Sequence, residues 1–167
     1  KKHSEGLIAL SGGLRAEVPH NLNIGQHEKA KKAVADYQDI FGKDNFYIEI
    51  VRSGSRESER ANEELLKLAK EMDVSLVAAN DVHYLKREYQ QAHEVLGCIQ
   101  SQHQLDDPQR YRAPTDQLYF KSPEEMKNLF TDIPEAIQNT VKIAERCKLE
   151  LDFTKTHVPH FDPPKGK

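Results

Sequence analysis

The sequence contains no long apolar run, few cysteines and no excess of positive charge. No stretch approaches the ~20 apolar residues of a bilayer-spanning helix, and the first residues lack the apolar core of a signal peptide. Lys and Arg number 24 against 27 Asp and Glu, for a formal net charge of −3. The two signs are interleaved, without the basic patch typical of nucleic-acid binders. These absences predict a cytoplasmic protein that neither enters a membrane nor contacts nucleic acid directly.

Only two cysteines are present, too few for a disulfide framework. Cys98 and Cys147 both fall in helix-like segments among aliphatic residues. We expect each of them to be a small buried apolar residue in a protein of a reducing compartment.

Common catalytic motifs are also missing. The chain has no phosphate-binding GxxxxGK[ST], no GxGxxG and no nucleophile elbow. It also lacks the clustered carboxylates with which a polymerase holds two metal ions. The residues therefore predict no catalytic group and no bound cofactor in this segment.

The first half of the chain alternates between strand-like and helix-like patterns. Short connections between such elements indicate βαβ units and a parallel sheet, which is an α/β fold. The last helix of this half carries Tyr89, Ala92, Leu96 and Ile99 at spacings of three and four, and we expect that face to be buried. The predicted strands are Gly6–Leu10, Phe46–Val51 and Val74–Ala79, and the predicted helices are His27–Phe41, Ser58–Met72 and Glu88–Gln100.

The second half is helical after an irregular connection at 105–114. Ser122–Glu125 and Asp132–Glu135 each offer a capping residue, a first-turn proline and a glutamate, which predict two helix starts. The second helix has an apolar stripe of Ile133, Ile137, Val141 and Ala144. The proline-rich end, 156–164, is predicted to be extended and to connect to a following domain. We therefore divide the chain into residues 1–104 and residues 105–167.

The most chemically suggestive element is Asn80–His83, directly after the third predicted strand. Asp81 and His83 are two residues apart, so both side chains project to one side at the end of the strand, where a metal ion could bind. The alternative is that Asp81 caps a turn and His83 bonds to the backbone. Glu49 is a weaker candidate, a carboxylate with no acidic partner nearby in sequence.

Two further features have structural alternatives. His157 and His160 have a spacing found among metal ligands, but a solvated or packing role suits their proline-rich surroundings better. Ser11–Gly13 could form an anion-binding nest or an ordinary turn.

A series of short motifs follows one another along the chain: Glu5–Gly13, Phe46–Ile50, Ala79–Tyr84, Leu105–Pro108, Lys121–Met126 and Ala144–Cys147. In this order they resemble the PHP region of the alpha subunit of bacterial DNA polymerase III, running toward its palm. The resemblance implies a partial PHP-type (β/α)7 barrel followed by a helical extension. The non-Met start, leading directly into a strand, fits a segment of that longer protein without the first PHP motifs.

Active PHP domains hold a metal cluster at the carboxyl ends of the strands, and the resemblance locates some ligand positions here. Asp81 and His83 match the family's Asp-x-His motif, whereas Gly13 stands where metal-binding members carry cysteine and Ser53 where they carry histidine. An intact site would hold zinc or manganese. The resemblance therefore implies a degenerate site with Asp81 and His83 as its remnants.

Three functions follow as hypotheses. In the first, the chain is a non-catalytic part of a DNA-directed DNA polymerase, packing against the polymerase body and docking the proofreading exonuclease subunit. In the second, it is a metal-dependent phosphoesterase that hydrolyses phosphate or pyrophosphate. In the third, the segment after Ser122 is an independent helical interaction module.

The missing front strands of the barrel would leave a sheet edge open, and open edges pair with other chains. We expect a dimer, a strand-swapped assembly or a shifted helix over that edge.

Overall fold

A parallel sheet of three strands organises the chain in the computed structural model, which describes residues 2–154, 156, 158–159 and 161. The sheet order is β1-β2-β3, and sequential strands are parallel neighbours, as the βαβ pattern predicts. The strands are β1 Ala9–Leu10, β2 Phe46–Val51 and β3 Leu76–Ala79. The helices are α1 Glu17–Asn23, α2 His27–Phe41, α3 Arg56–Met72, α4 Gln90–Ser101, α5 Pro123–Leu129 and α6 Pro134–Arg146.

This architecture confirms the α/β class. A three-stranded parallel sheet with flanking helices fits a partial PHP-type barrel, and the described residues do not close one. Helix α1 was not predicted, because its short sequence includes Pro19 and two asparagines. The proline is tolerated there, since the first turn of a helix needs no intrahelical N–H donor.

The core lies between the sheet and its helices. Phe46, Ile48 and Ile50 project from one face of β2 and are at most 1% exposed, packed against residues of α1, α2 and α3. Phe130 and Ala136, from the α5–α6 segment, belong to the same cluster. The helical segment therefore shares its core with the sheet.

Helix starts follow capping chemistry at some of the predicted positions. Ser122 and Glu125 form the expected capping box at α5. Asp132 does not cap α6, where Ile133 is the N-cap residue and no side-chain cap bond forms. Asp132 instead makes a two-oxygen ion pair with Arg52, at 2.6 and 2.7 Å, which ties the end of β2 to the α5–α6 connection.

Two expectations about burial were wrong, those for the apolar face of α4 and for Cys147. On α4, Leu96 and Ile99 are 64% and 69% exposed. On α6, Val141 is 56% exposed because the helix turns Ala136 and Asn139 toward the sheet instead. Cys98 is buried as expected, but Cys147 is exposed at the C-cap of α6, beyond the packed part of that helix.

The two outer edges of the sheet differ. The N–H of Ile48 donates to the Ser75 carbonyl, so in a parallel ladder the Leu76 carbonyl points away from β2. The Asn139 amide donates to that carbonyl at 2.7 Å, which places α6 over the outer edge of β3. No strand among the described residues pairs with the outer edge of β1, and Leu10 is 44% exposed there. Self-association through this edge stays a prediction.

Among the residues that the structure describes, no helix is long and apolar enough to cross a membrane.

Candidate functional site

A cavity of about 860 Å³ opens at the carboxyl ends of β1, β2 and β3. This is the end of a parallel sheet where ligands usually bind, because the connecting loops converge there. Its polar lining comes from four places in the chain: the turn after β1, the end of β2 with the start of α3, the turn after β3, and the 111–118 loop. The lining includes Gly12, Gly13, Arg15, Glu49, Ser53, Ser55, Ser58, Asn62, Asp81, His83, Tyr111 and Thr115.

The turn after β3 places Asp81 and His83 on the wall of this cavity, as the sequence predicts. His83 Nε2 lies 3.2 Å from Asp81 Oδ1, and the two side chains are 42% and 57% exposed. The His83 ring also lies roughly perpendicular to the His93 ring of α4, with centroids 5.3 Å apart. The pair is thus accessible from solvent and held by an interaction between its own members. Their role as metal ligands stays a prediction.

Glu49, on β2, lines the same cavity as Asp81 and His83. Its position in the sequence did not reveal that it lies near them. Its side chain points into the cavity, and its backbone N–H donates to Ser11 Oγ at 2.9 Å. Burial raises the pKa of the Glu49 carboxyl, and the negative charge of Asp81 raises it further. Glu49 and Asp81 are 32 positions apart, so only the pairing of β2 with β3 could reveal this juxtaposition.

The two positions at which the resemblance implies lost ligands also lie on this wall. A side chain at Gly13 would point into open space, with no atom within 4 Å of its Cβ. Ser53 is 9% exposed, and its hydroxyl lies 3.3 Å from that of Ser55. Among the described residues, no group of three or more His, Cys, Asp and Glu side chains is arranged to hold a metal ion. His157 and His160 lie outside the described residues.

The 105–121 stretch, predicted as an irregular connection at its start, closes one side of the cavity. Thr115 Oγ1 donates to the Ser53 carbonyl at 2.7 Å, and the His83 N–H donates to the Leu118 carbonyl at 2.8 Å. The Asn80 amide donates to the Tyr119 carbonyl at 3.0 Å. These bonds come from ordinary loop residues without periodicity, so the sequence carried no signal for them.

Lys121 holds the 105–121 stretch against the turn after β3 through hydrogen bonds. It is 6% exposed, and its ammonium donates to the Gln117 carbonyl and to Asn80 Oδ1, the latter at 3.3 Å. It also lies 4.4 Å from the centre of the Tyr119 ring. Burial lowers the pKa of Lys121, so the buried charge is held at a cost that its hydrogen bonds offset. The turn bearing Asp81 and His83 is thus braced through Asn80.

Comparison with known proteins assigns this arrangement to a family. A family model described as "PHP domain" matches residues 1–53. The chain is 41% identical over 166 residues to a DNA polymerase III subunit alpha of Pseudomonas aeruginosa, covering 99% of this chain and 14% of that protein. It is 39% identical over 173 residues to the subunit alpha of Thermus aquaticus, covering all of this chain and 14% of that protein. The subunit alpha of Campylobacter jejuni is 41% identical over 169 residues, 95% of this chain and 14% of the relative. The chain thus spans about a seventh of the length of these relatives.

Proposed function

We propose that this chain, which belongs to the PHP region of the DNA polymerase III subunit alpha family, is a structural and docking segment of a longer replicative polymerase. In this proposal, DNA synthesis is carried out by parts of the subunit outside these residues. No catalytic group of the polymerase is assigned to this segment, and its metal site is degenerate.

The observation that carries the proposal is the donor set of the cavity. Three protein ligands and an open position are typical of a catalytic zinc site. Position 13 offers no side chain, and Ser53 offers a neutral hydroxyl already beside Ser55. Of the four family positions, only Asp81 and His83 keep a donor side chain, and Glu49 is not grouped with them to hold a metal ion among the described residues. Their contact with each other and the bracing of Asn80 support a structural role for this turn.

A docking role agrees with the surface of the chain. Its charges are mixed, with a net of −3, which does not favour contact with the phosphates of DNA. We propose the rest of the alpha subunit as the first partner and the proofreading exonuclease subunit as a second. Neither partner requires the cavity to be catalytic.

One observation favours the phosphoesterase alternative. Glu49, Asp81 and His83 line the same cavity, so a movement of their side chains could create a site for metal-bound hydroxide. That function predicts tight zinc or manganese binding that depends on His83.

Metal content separates the two functions. The protein is dialysed against trace zinc and manganese, freed of loosely bound ions, and measured by elemental analysis as wild type and as His83→Ala. We expect both to contain well below one equivalent of metal. Near-stoichiometric metal in the wild type that is lost in His83→Ala would reject the degenerate site and support the phosphoesterase.

A restored donor set is the matched positive control. Gly13→Cys with Ser53→His returns the two side chains that metal-binding members carry, and the open space at position 13 accommodates the first of them. We expect zinc to bind this double variant more tightly than the wild type, and the gain to disappear when His83→Ala is added. Equal and weak binding by all variants would mean that Asp81 and His83 do not contribute to a metal site of this kind.

A further inference from the structure

Helix α4 presents its apolar side to solvent. Tyr89 at its N-cap and Ala92, Leu96 and Ile99 within it form one stripe at spacings of three, four and three residues, which we call the α4 seam. Leu96 is 64% exposed, Ile99 69% and Tyr89 42%. This spacing is that of a helix packed along a narrow line against another element.

The opposite side of α4 is held to the chain by polar contacts. Glu94 forms an ion pair with Arg110 at 2.9 Å, and these side chains are only 19% and 8% exposed. Cys98 is 6% exposed, and the His93 ring packs against Tyr84 with centroids 5.5 Å apart. Rolling the helix to bury the seam would separate Glu94 from Arg110, whose side chain is 8% exposed, and a buried charge left without its ion-pair partner is strongly destabilising. The orientation of α4 is therefore fixed with the seam outward.

The border of the seam is neutral. The flanking helix positions include Val95, Gln100 and Gln102, whose side chains carry no ionisable group. Glu88, at the start, is accompanied by Lys86 at 3.7 Å. A neutral border around aliphatic side chains matches an apolar protein surface, and it offers nothing to phosphate groups.

The seam is too small to hold a separate protein. A helix of 12 residues is about 18 Å long and about 10 Å wide, which is roughly a quarter of the ~800 Å² per partner that stable free-standing complexes bury. A surface on the same polypeptide faces no such limit, because a linker gives it an effective concentration of about millimolar. Most of the length of the relatives lies outside the matched segment, so such a surface has ample chain to come from.

We infer that the α4 seam packs, within the longer subunit, against an apolar and uncharged helix or sheet face of the same polypeptide that lies outside these 167 residues. This inference rests on the proposed function, which places the chain inside a longer polymerase subunit. It adds the surface through which the segment docks.

Hydroxyl-radical footprinting of the full-length subunit and of the 167-residue chain tests this directly, since it reports the exposure of individual side chains. We expect Leu96 and Ile99 to be oxidised several-fold more slowly in the full-length subunit, because their side chains would pass from 64% and 69% exposed to buried. Leu96→Glu with Ile99→Glu in the full-length subunit should return Tyr89 to its rate in the short chain. Gln91→Glu, an exposed position off the seam, is the matched control and should leave all three rates unchanged.

Three results would overturn the inference. Equal oxidation rates in both proteins would show a seam that nothing covers. Slow oxidation of the short chain, with a mass that doubles on concentration, would make a second copy the occupant. Protection that appears only when another purified subunit is added would make that subunit the occupant. None of these results bears on metal content, so a failure here is distinct from a failure of the proposed function.

Discussion

Glu49 shows how a single side chain acquires its properties from the fold. In the unfolded chain its carboxyl ionises at about pH 4.3. In the folded protein, burial first and the charge of Asp81 second raise its pKa. The folded state therefore binds a proton more tightly than the unfolded state, so stability falls as the pH rises from the unfolded pKa through the folded one. Above the folded pKa, the folded state bears the full free-energy cost of ionising this carboxyl.

Glu49→Gln should therefore stabilise the protein at pH 7. We expect Tm to rise by about 2 °C, the change produced by roughly 0.5–1 kcal/mol in a chain of this size. The gain should vanish at about pH 3, more than one unit below the unfolded pKa, where Glu49 is protonated in both states. Thermal unfolding followed by circular dichroism at both pH values measures it.

Glu63→Gln, at an exposed position of α3, is the control and should change Tm little at either pH. Asp81→Asn should also raise Tm at pH 7, by less than Glu49→Gln. This rise should be smaller when Glu49→Gln is already present, because the two carboxylates interact. Additive effects of the two substitutions would contradict the interaction.

The helices α4 and α6 show what periodicity indicates and what it leaves open. Spacing of apolar residues at three and four predicted both helices, and both exist. It also led us to expect that the apolar face of α4 is buried, which is wrong, and the stripe of α6 is buried only in part, since Val141 is 56% exposed. A helix packs through the face that its neighbours reach. On α6 that face includes Asn139, which satisfies an edge carbonyl of β3.

Asn139→Ala should destabilise the protein, because it leaves the Leu76 carbonyl without its hydrogen-bond donor at a partly buried edge. An unsatisfied buried acceptor costs about 1–3 kcal/mol. Gln138→Ala, on the exposed side of the same helix, is the control and should cost less than about 0.5 kcal/mol. Urea unfolding curves give both values, and a cost for Asn139→Ala no greater than that of the control would mean that the edge carbonyl finds another donor.

Over the whole chain, the segment after Ser122 behaves as part of the sheet's core. Phe130 is 1% exposed within the main cluster, and the Arg52 guanidinium lies 5.0 Å from the centre of its ring. Arg146, at the end of α6, donates to the Asp44 carbonyl just before β2. These contacts disfavour the hypothesis of an independent helical module. The division at residues 104 and 105 stays a prediction.

Phe130→Ala should destabilise the sheet and the helical segment together. Truncation of a buried phenylalanine costs about 3–5 kcal/mol. Phe120→Ala removes the same side chain from a position that is 67% exposed, so it should cost much less and serves as the matched control. Urea unfolding should stay a single transition in both variants.

Two separate transitions in Phe130→Ala, with the helical signal lost first, would contradict a shared core. They would support instead a helical segment that folds by itself.

Much of the fold was determined by local sequence patterns. The boundaries of α2 and β2 were predicted to the residue, because each has a clear period and clear ends: Gly42 closes α2 with a φ of +91°, and β-branched and aromatic residues fill β2. The capping box at Ser122 is equally local. The order of motifs along the chain also predicted the family, which the comparisons confirm.

The tertiary structure alone decided which distant groups meet. It placed Glu49 beside Asp81, set Thr115 on the Ser53 carbonyl and turned the α4 seam outward. Hydrophobic periodicity is a property of neighbours along the chain, and it determines which elements form. A cavity wall and an exposed seam depend on contacts between residues tens of positions apart. Packing selects those contacts, and it produces no periodic pattern in the sequence from which they could be predicted.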